Sequence, residues 1–387
     1  MAFIPYARQC VDKDDIQAVV DILQSDWLTQ GPAVERFEQA VAEYCGVEHA
    51  VAVNSATAAL HIACLAAGLG DGDSLWTSPN TFVASANCGL YCGSKVDFVD
   101  IDPLTYNLSP KELEQKLSNG QAARDLPKVV IPVHFAGDSC DMAAIHSLAR
   151  QYHFTVIEDA SHAIGGRYKD KAIGCCAYSD MTVFSFHPVK IVTTGEGGMV
   201  VTNRRDLYEK LLLLRSHGVT RDESQMTMSG QGPWYYEQID LGFNYRITDI
   251  QAALGWSQLK KIDEFVARRQ TIAGHYDEGL AGMPLTFQQR RSDIYSAFHL
   301  YVIRLKSGEI KKSHRQVFEE LRQAGIGVNL HYIPVHLQPY YQQRGFCAGD
   351  FPQAEQYYRE AISLPMYYLL SEEDQKYVIN TIRQVLA

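Results

Sequence analysis

The residues best placed to do chemistry lie around Lys190, in Thr182-Val-Phe-Ser-Phe-His-Pro-Val-Lys190-Ile-Val-Thr-Thr-Gly-Glu-Gly-Gly198. An apolar strand leads in, a lysine follows a turn, and a glycine-rich return closes the segment. Another apolar strand, 31 residues earlier, ends in Glu158-Asp159-Ala-Ser-His162. A strand-end aspartate and a lysine in apolar surroundings point to pyridoxal 5'-phosphate (PLP). The lysine holds the cofactor as a Schiff base, and the aspartate keeps its pyridine nitrogen protonated. Either residue alone reads better as a surface lysine or a helix-capping aspartate. Together, at this spacing, they favour the cofactor. Lys190 then has a second task, moving the proton between Cα and the cofactor's C4′. That task requires a neutral amine, so the site must depress its pKa.

A phosphate needs donors, and Asn54-Ser55-Ala56-Thr57 offers them between a strand and an alanine-rich helix. Free N–H groups and the positive dipole end meet at a helix N-terminus. Ser55 and Thr57 add hydroxyls, although plain N-capping by Ser55 is the commoner use of such a serine. Ser185 is a further hydroxyl, five residues before Lys190. His162 is suited to the ring's phenolic oxygen and Phe82 to stacking on the ring; their alternative readings are core histidine and core phenylalanine.

These residues need a scaffold that brings strand ends together. From Asp12 to about Ser216 short apolar strands alternate with helices. Asp12 caps a first helix with Ile16, Val19, Val20 and Leu23 on one face. Strands are expected at 49–53, 75–77, 96–99, 128–134, 154–157, 182–186 and 199–202, the last two adjacent through a turn. Helices are expected at 56–67 and 141–152. The alternation predicts an α/β sandwich around a mostly parallel sheet, whose carboxyl edge binds ligands. Val219–Asp240, with Gly230, Gly232 and Pro233, breaks the pattern and reads as a functional loop. One long helix is expected from Thr248 to about Arg269, bridging to an α+β region. There Phe298–Leu305 reads as a strand, and Ser313-His-Arg-Gln316 opens a helix that Gly325 closes.

Length and composition set the outer limits. At about 150 residues per domain, 387 residues make two domains, expected at 1–250 (large, α/β) and 251–387 (small, C-terminal α+β, with the bridging helix). Hydrophobic residues are 46% and charged residues 21%, enough for a large core. The net charge of −10 argues against nucleic-acid binding. No run approaches the ~18 apolar residues of a membrane span, and the start lacks a signal core. A cytoplasmic protein is expected. The nine cysteines lack metal-ligand spacing, so no metal site and reduced thiols are expected. Gly68-Leu-Gly70-Asp-Gly72 follows a helix and reads as a turn, which disfavours a nicotinamide enzyme.

The chain resembles the DegT/DnrJ/EryC1/StrS family of PLP-dependent sugar aminotransferases over nearly its whole length. The matching pieces are Trp27-Leu-Thr-Gln-Gly-Pro32, Ser55-Ala-Thr-Ala-Ala-Leu60, Glu158-Asp-Ala-Ser-His-Ala163, Phe184-Ser-Phe-His-Pro-Val-Lys190, Gly195-Glu-Gly-Gly198, Arg215-Ser-His-Gly218 and Leu241-Gly-Phe-Asn-Tyr-Arg246. Each is weak alone; their order and spacing are specific. Where the family carries Ser-Gly-Thr, Ala56 replaces the glycine and keeps the backbone N–H. Trp76–Cys88, Ser161-His-Ala, Ser257–Lys261 and His331-Tyr-Ile-Pro-Val335 look most like the branch that serves pseudaminic acid biosynthesis.

The resemblance implies a type I, aspartate aminotransferase-like fold. Its large domain holds a mostly parallel seven-stranded sheet. It implies a homodimer with shared active sites, using L-glutamate to aminate C4 of a UDP-linked 4-keto-6-deoxy-N-acetylhexosamine. The product would be UDP-4-amino-4,6-dideoxy-N-acetyl-β-L-altrosamine. It implies Lys190 as the Schiff-base lysine, Asp159 at the pyridine nitrogen, His162 at the phenolic oxygen and Phe82 near the ring. Ser55, Ala56, Thr57 and Ser185 would hold the phosphate, joined by Asn244 of the other subunit. Tyr6, Asp26, Trp27, Leu28, Thr29, Leu330, His331 and Tyr332 would lie near the nucleotide sugar. Three alternatives stay open: a PLP-dependent sugar dehydratase, a noncatalytic PLP-binding protein, and an aminotransferase for a bacillosamine, perosamine or aminoarabinose sugar. Lys190 itself speaks against the dehydratase, in which a histidine replaces the lysine.

Overall fold

The computed structural model describes residues 3–120, 126–228 and 232–387. Two helices come first, α1 (Lys13–Leu23) and α2 (Pro32–Cys45). Asp12 and Asp15 form a reciprocal capping box that starts α1. The apolar stripe expected on α1 is not a core face. Ile16 is 56% and Leu23 57% exposed, while the buried residue is Asp15, bonded to Ser257 and Gln258.

Strands and helices then alternate as β1 (His49–Val53), α3 (Ala56–Ala66), β2 (Ser74–Thr77), α4 (Ala84–Tyr91), β3 (Lys95–Phe98), α5 (Pro110–Asn119), β4 (Val129–Ile131), α6 (Met142–Tyr152) and β5 (Thr155–Asp159). A small hairpin, β6 (Arg167–Tyr168) and β7 (Lys171–Ala172), leads to β8 (Met181–Ser185), β9 (Gly198–Thr202) and α7 (Arg205–Arg215). The seven-stranded sheet has the order β1-β9-β8-β5-β4-β2-β3. Only β9 runs against its neighbours. Strands β8 and β9 are buried at every position, as strands covered on both faces must be. Helix α3 carries alanine and cysteine where it presses on the sheet, and small side chains let it lie close.

Expectation and structure differ at several further places. Pairing at 128–134 is confined to β4, because the chain turns at Phe135–Gly137 beside the site. Val219–Asp240 is not wholly irregular: β10 (Val219–Thr220) pairs with β11 (Glu237–Gln238) and closes it as a hairpin. Gly230 lies outside the described residues. The expected bridging helix is two helices, α8 (Asp249–Leu259) and α9 (Ile262–Gly279). Lys261 leaves helical geometry (φ −106°, ψ 4°), and its amine is tied to Asp12 and Asp15.

The remaining chain gives β12 (Leu285–Phe287), β13 (Ile294–Tyr295), β14 (Tyr301–Leu305), α10 (His314–Gln323), α11 (Pro339–Gln342), α12 (Pro352–Glu360), β15 (Ala361–Leu364) and α13 (Glu372–Leu386). Strand β14 starts later than expected, since Phe298 is held at φ +45°. Strands β12, β14 and β15 form an antiparallel sheet backed by α9, α10 and α13 around Ile303, Leu321 and Val378. Strand β13 returns to pair with β6, lacing this region to the first. No helix among the described residues is long and apolar enough to cross a membrane.

Candidate active site

Strands that run parallel present their carboxyl ends on one edge, and the loops leaving that edge line a cavity of about 410 Å³. The segment after β1 contributes Ser55, Ala56 and Thr57, and that after β2 contributes Thr81, Phe82 and Ser85. Asp159 and His162 come from the end of β5, and Ser185 and Lys190 from the end of β8. Tyr6, His331 and Tyr332 close the far side.

Alternation along β5 sends its two carboxylates to opposite faces. Glu158 turns away from the cavity to His134 at 2.5 Å and to the hydroxyls of Thr182 and Ser179. Burial would raise its pKa, but these donors outweigh burial and hold the carboxyl below its ordinary value. Asp159 faces the cavity, where its Oδ2 accepts from Ser85 Oγ at 2.6 Å and its Oδ1 from the Ser161 N–H at 3.0 Å. Ser85 in turn meets Thr81 Oγ1 at 2.8 Å, one helical turn away. This orienting serine was missed by sequence reasoning, and nothing local in the sequence links it to a residue 74 positions distant.

Lys190 lies half-buried in the cavity wall, its backbone N–H turned onto the His187 carbonyl. Burial pushes its ammonium down to about 8, with the Asp159 carboxylate opposing. The amine is therefore substantially neutral near pH 8, as proton transfer requires. His162 is buried, and its Nε2 meets the Tyr332 hydroxyl at 3.1 Å. Burial, then the charge of Lys190, depresses its pKa well below that of an ordinary histidine.

The residues present fit PLP. Ser55 caps α3 by accepting from the Ala58 N–H at 3.1 Å, which leaves the Ala56 and Thr57 N–H groups without intrahelical acceptors. Gly198 makes room beside them, since a Cβ there would sit 2.6 Å from Ala56 N. A buried acid, an amine of lowered pKa and a helix N-terminus ringed by hydroxyls match a pyridine nitrogen, an aldehyde and a phosphate. His162 Nδ1, buried without a partner among the described residues, is further unused polarity in the wall.

Not every expected site residue reaches this cavity. Phe82 does, at the rim and 59% exposed, so it is no core phenylalanine. Asp26, Trp27, Leu28 and Thr29 lie outside its wall, on the loop beside α8, where Thr29 bridges Thr248. Leu330 is also outside the cavity wall, its N–H donating to Asn329 Oδ1 at 2.9 Å. Asn244 is exposed and outside, bridging Ser216 through its backbone. His299, Thr81 and Glu196 line the cavity without having been singled out.

This fold and site define a PLP-dependent enzyme of the type I class. The chain belongs to the DegT/DnrJ/EryC1/StrS aminotransferase family, which it matches over residues 9–383, and it is an aminotransferase. It is 40% identical to the spore coat polysaccharide biosynthesis protein SpsC of Bacillus subtilis, covering 99% of this chain and 97% of that one. It is 38% identical to the UDP-4-amino-4,6-dideoxy-N-acetyl-beta-L-altrosamine transaminase of Campylobacter jejuni, with 99% and 97% covered. Among solved structures, PseC of Helicobacter pylori, an aminotransferase of pseudoaminic acid biosynthesis, superposes with a TM-score of 0.90 at 32% identity, covering 99% of each chain. A putative sugar aminotransferase of Streptococcus pneumoniae in its PMP form gives 0.91 at 30% identity, covering 99% and 98%. The same protein is also known in a PLP form.

Proposed function

We propose that the protein transfers the amino group of L-glutamate to C4 of a UDP-linked 4-keto-6-deoxy-N-acetylhexosamine, yielding UDP-4-amino-4,6-dideoxy-N-acetyl-β-L-altrosamine for pseudaminic acid biosynthesis. The observation that carries the reaction type is the convergence of Lys190 and Asp159 in one cavity with the N-terminus of α3. The sugar rests on the likeness to the Campylobacter and Helicobacter enzymes. When bound, PLP supplies an electron sink for the pair left as the substrate's Cα–H bond breaks.

The chain's own residues do the rest. Lys190 would hold the cofactor covalently, and its amine, when free, would carry the proton lost from the donor carbon. Its lowered pKa suits both directions of transfer. Asp159, held by Ser85 and Ser161, keeps the ring nitrogen protonated. His162 would hydrogen-bond the phenolic oxygen and Phe82 would cover the ring. Ser55, Ala56, Thr57 and Ser185 hold the phosphate with N–H and O–H donors, which suits an acidic protein. Tyr6, His331 and Tyr332 would border the sugar, and Asp26, Trp27, Leu28, Thr29 and Leu330 would contribute to the nucleotide sugar's site from outside this cavity's wall. Asn244, exposed on its own chain, completes the phosphate site of a second copy in a homodimer.

The likeness to SpsC supports a second reading, another nucleotide-linked keto sugar with the same catalytic residues. The deciding experiment loads the enzyme with PLP, adds glutamate until the visible band is bleached, and then offers UDP-4-keto sugars one at a time. Return of the band with the 4-keto-6-deoxy-N-acetylhexosamine supports the first reading; return only with another sugar supports the second. A band that glutamate leaves unchanged refutes both.

A further inference from the structure

One imidazole in the cavity wall has no task in the reaction as described. His299, just before β14, is 3% exposed, and its ring centroid lies 4.4 Å from that of His162 at a tilt of 42°. The Nδ1 atoms of both rings are buried and lack a hydrogen-bond partner among the described residues. A buried polar atom left unpaired is costly, so two of them on adjoining rings call for a reason.

Two features force the rings together. Gly137 has φ +98°, and a Cβ there would come within 2.8 Å of Phe298 N, 2.9 Å of the His162 carbonyl and 3.0 Å of His299 N. Only glycine lets these backbones meet. From the other side Arg269, buried on α9, donates to the carbonyls of Phe298 (3.1 Å), His299 (3.3 Å) and Met366 (3.1 Å). No carboxylate is paired with Arg269 among the described residues, so the guanidinium serves the backbone of this junction alone.

We propose that His299 is a positioning residue for His162: clamped by Gly137 and Arg269, it holds the His162 ring in one orientation, with Nε2 turned to Tyr332 and the cofactor site. The proposal rests on the reading of His162 as a partner of the cofactor. The groups that face the pair are Asp159 at the end of β5, Lys190 after β8, Arg269 on α9, and His331 and Tyr332 on the segment before α11. The cations outnumber the one carboxylate, so burial and charge together keep both imidazoles neutral.

The test is the ring titration and tautomer of His162, followed by NMR on the full chain with and without PLP. In the wild type the ring stays neutral, in one tautomer, to a pH well below the ordinary histidine range. His299→Ala opens space and admits water, so the His162 midpoint rises by roughly one unit or more and a second tautomer appears. His299→Phe restores the covering face and is expected to restore the wild-type titration. Unchanged titration and tautomer in a folded His299→Ala overturn the proposal, as does a His299→Phe protein that titrates like His299→Ala. Should His299→Ala not fold, Arg269→Lys replaces it, because fewer donors then hold the 298–299 carbonyls. The same upward shift is expected, and no shift overturns the proposal. A separate variant, His162→Ala, judges the underlying reading. If the bound cofactor's spectrum and affinity survive it, His162 is no cofactor partner, whatever His299 does to the ring.

Discussion

Acid should weaken this protein through its active-site imidazoles, and His331 allows the effect to be sized. His331 is 8% exposed, with Nδ1 held to Ser363 Oγ at 2.9 Å. Burial, then the charge of Lys190, pushes it down to about 4 from 6.5. A depressed pKa means that the unfolded chain takes up the proton first as pH falls. The contribution is therefore fully present above pH 6.5 and lost between 6.5 and about 4. That window corresponds to about 3.4 kcal/mol, of which about 1.9 kcal/mol disappears between pH 7 and pH 5. His162 and His299 act in the same direction. Asp138, which burial pushes up to about 7, acts in the opposite one. The Asp138 term is common to wild type and a His331→Asn variant and cancels in the comparison, whereas His162 and His299 also feel the His331 charge, so in the variant they lose slightly less stability as well. The assay is urea unfolding of both proteins at pH 7, 6 and 5. His331→Asn should start less stable, yet lose about 1.9 kcal/mol less than wild type by pH 5. Parallel losses would refute the argument, since His331 would then titrate alike in folded and unfolded chains.

Other predictions concern the site directly. Lys190→Ala should lose the visible band of bound PLP and lower turnover by at least about 10²–10⁴-fold, read in a glutamate half-reaction. In wild type the rate of PLP capture by the cofactor-free protein should rise with pH through about 8, the value of the buried amine; a midpoint near that of an ordinary lysine would contradict its burial. Ser85→Ala removes a 2.6 Å bond to Asp159. A hydrogen bond to a charged group is worth about 1.5–3 kcal/mol, so roughly a 10- to 100-fold loss in PLP affinity or kcat is expected, measured by cofactor titration and steady-state rates. Gly137→Ala meets backbone at 2.8 Å with φ +98°. It should destabilise the chain by well over about 1 kcal/mol, seen as a lowered Tm, whereas Gly274→Ala, where a Cβ meets nothing, should not.

What the sequence by itself determined was local. Apolar runs of strand length ending in Asp159 and Ser185, a serine before an alanine-rich helix, and a lysine before a glycine-rich return could be read because period, capping and turn chemistry act over a few residues. They were enough for the alternating α/β plan and for Lys190, Asp159 and the Ser55–Thr57 turn, since parallel strands carry their carboxyl ends to one edge. The break between α8 and α9 was not legible, because it coincides with Lys261 reaching Asp12 and Asp15, some 250 residues away in sequence. Nor was the exposure of Ile16 and Leu23, for the stripe on α1 has the same period whether or not another surface covers it. Only the tertiary structure decided that Ser85 orients Asp159, that Gly137 and Arg269 press His299 onto His162, and that Asn244 and the 26–29 loop stay outside this chain's cavity. Each depends on where crossovers and the returning strand bring distant backbone together, and no repeat or cap in the sequence encodes that.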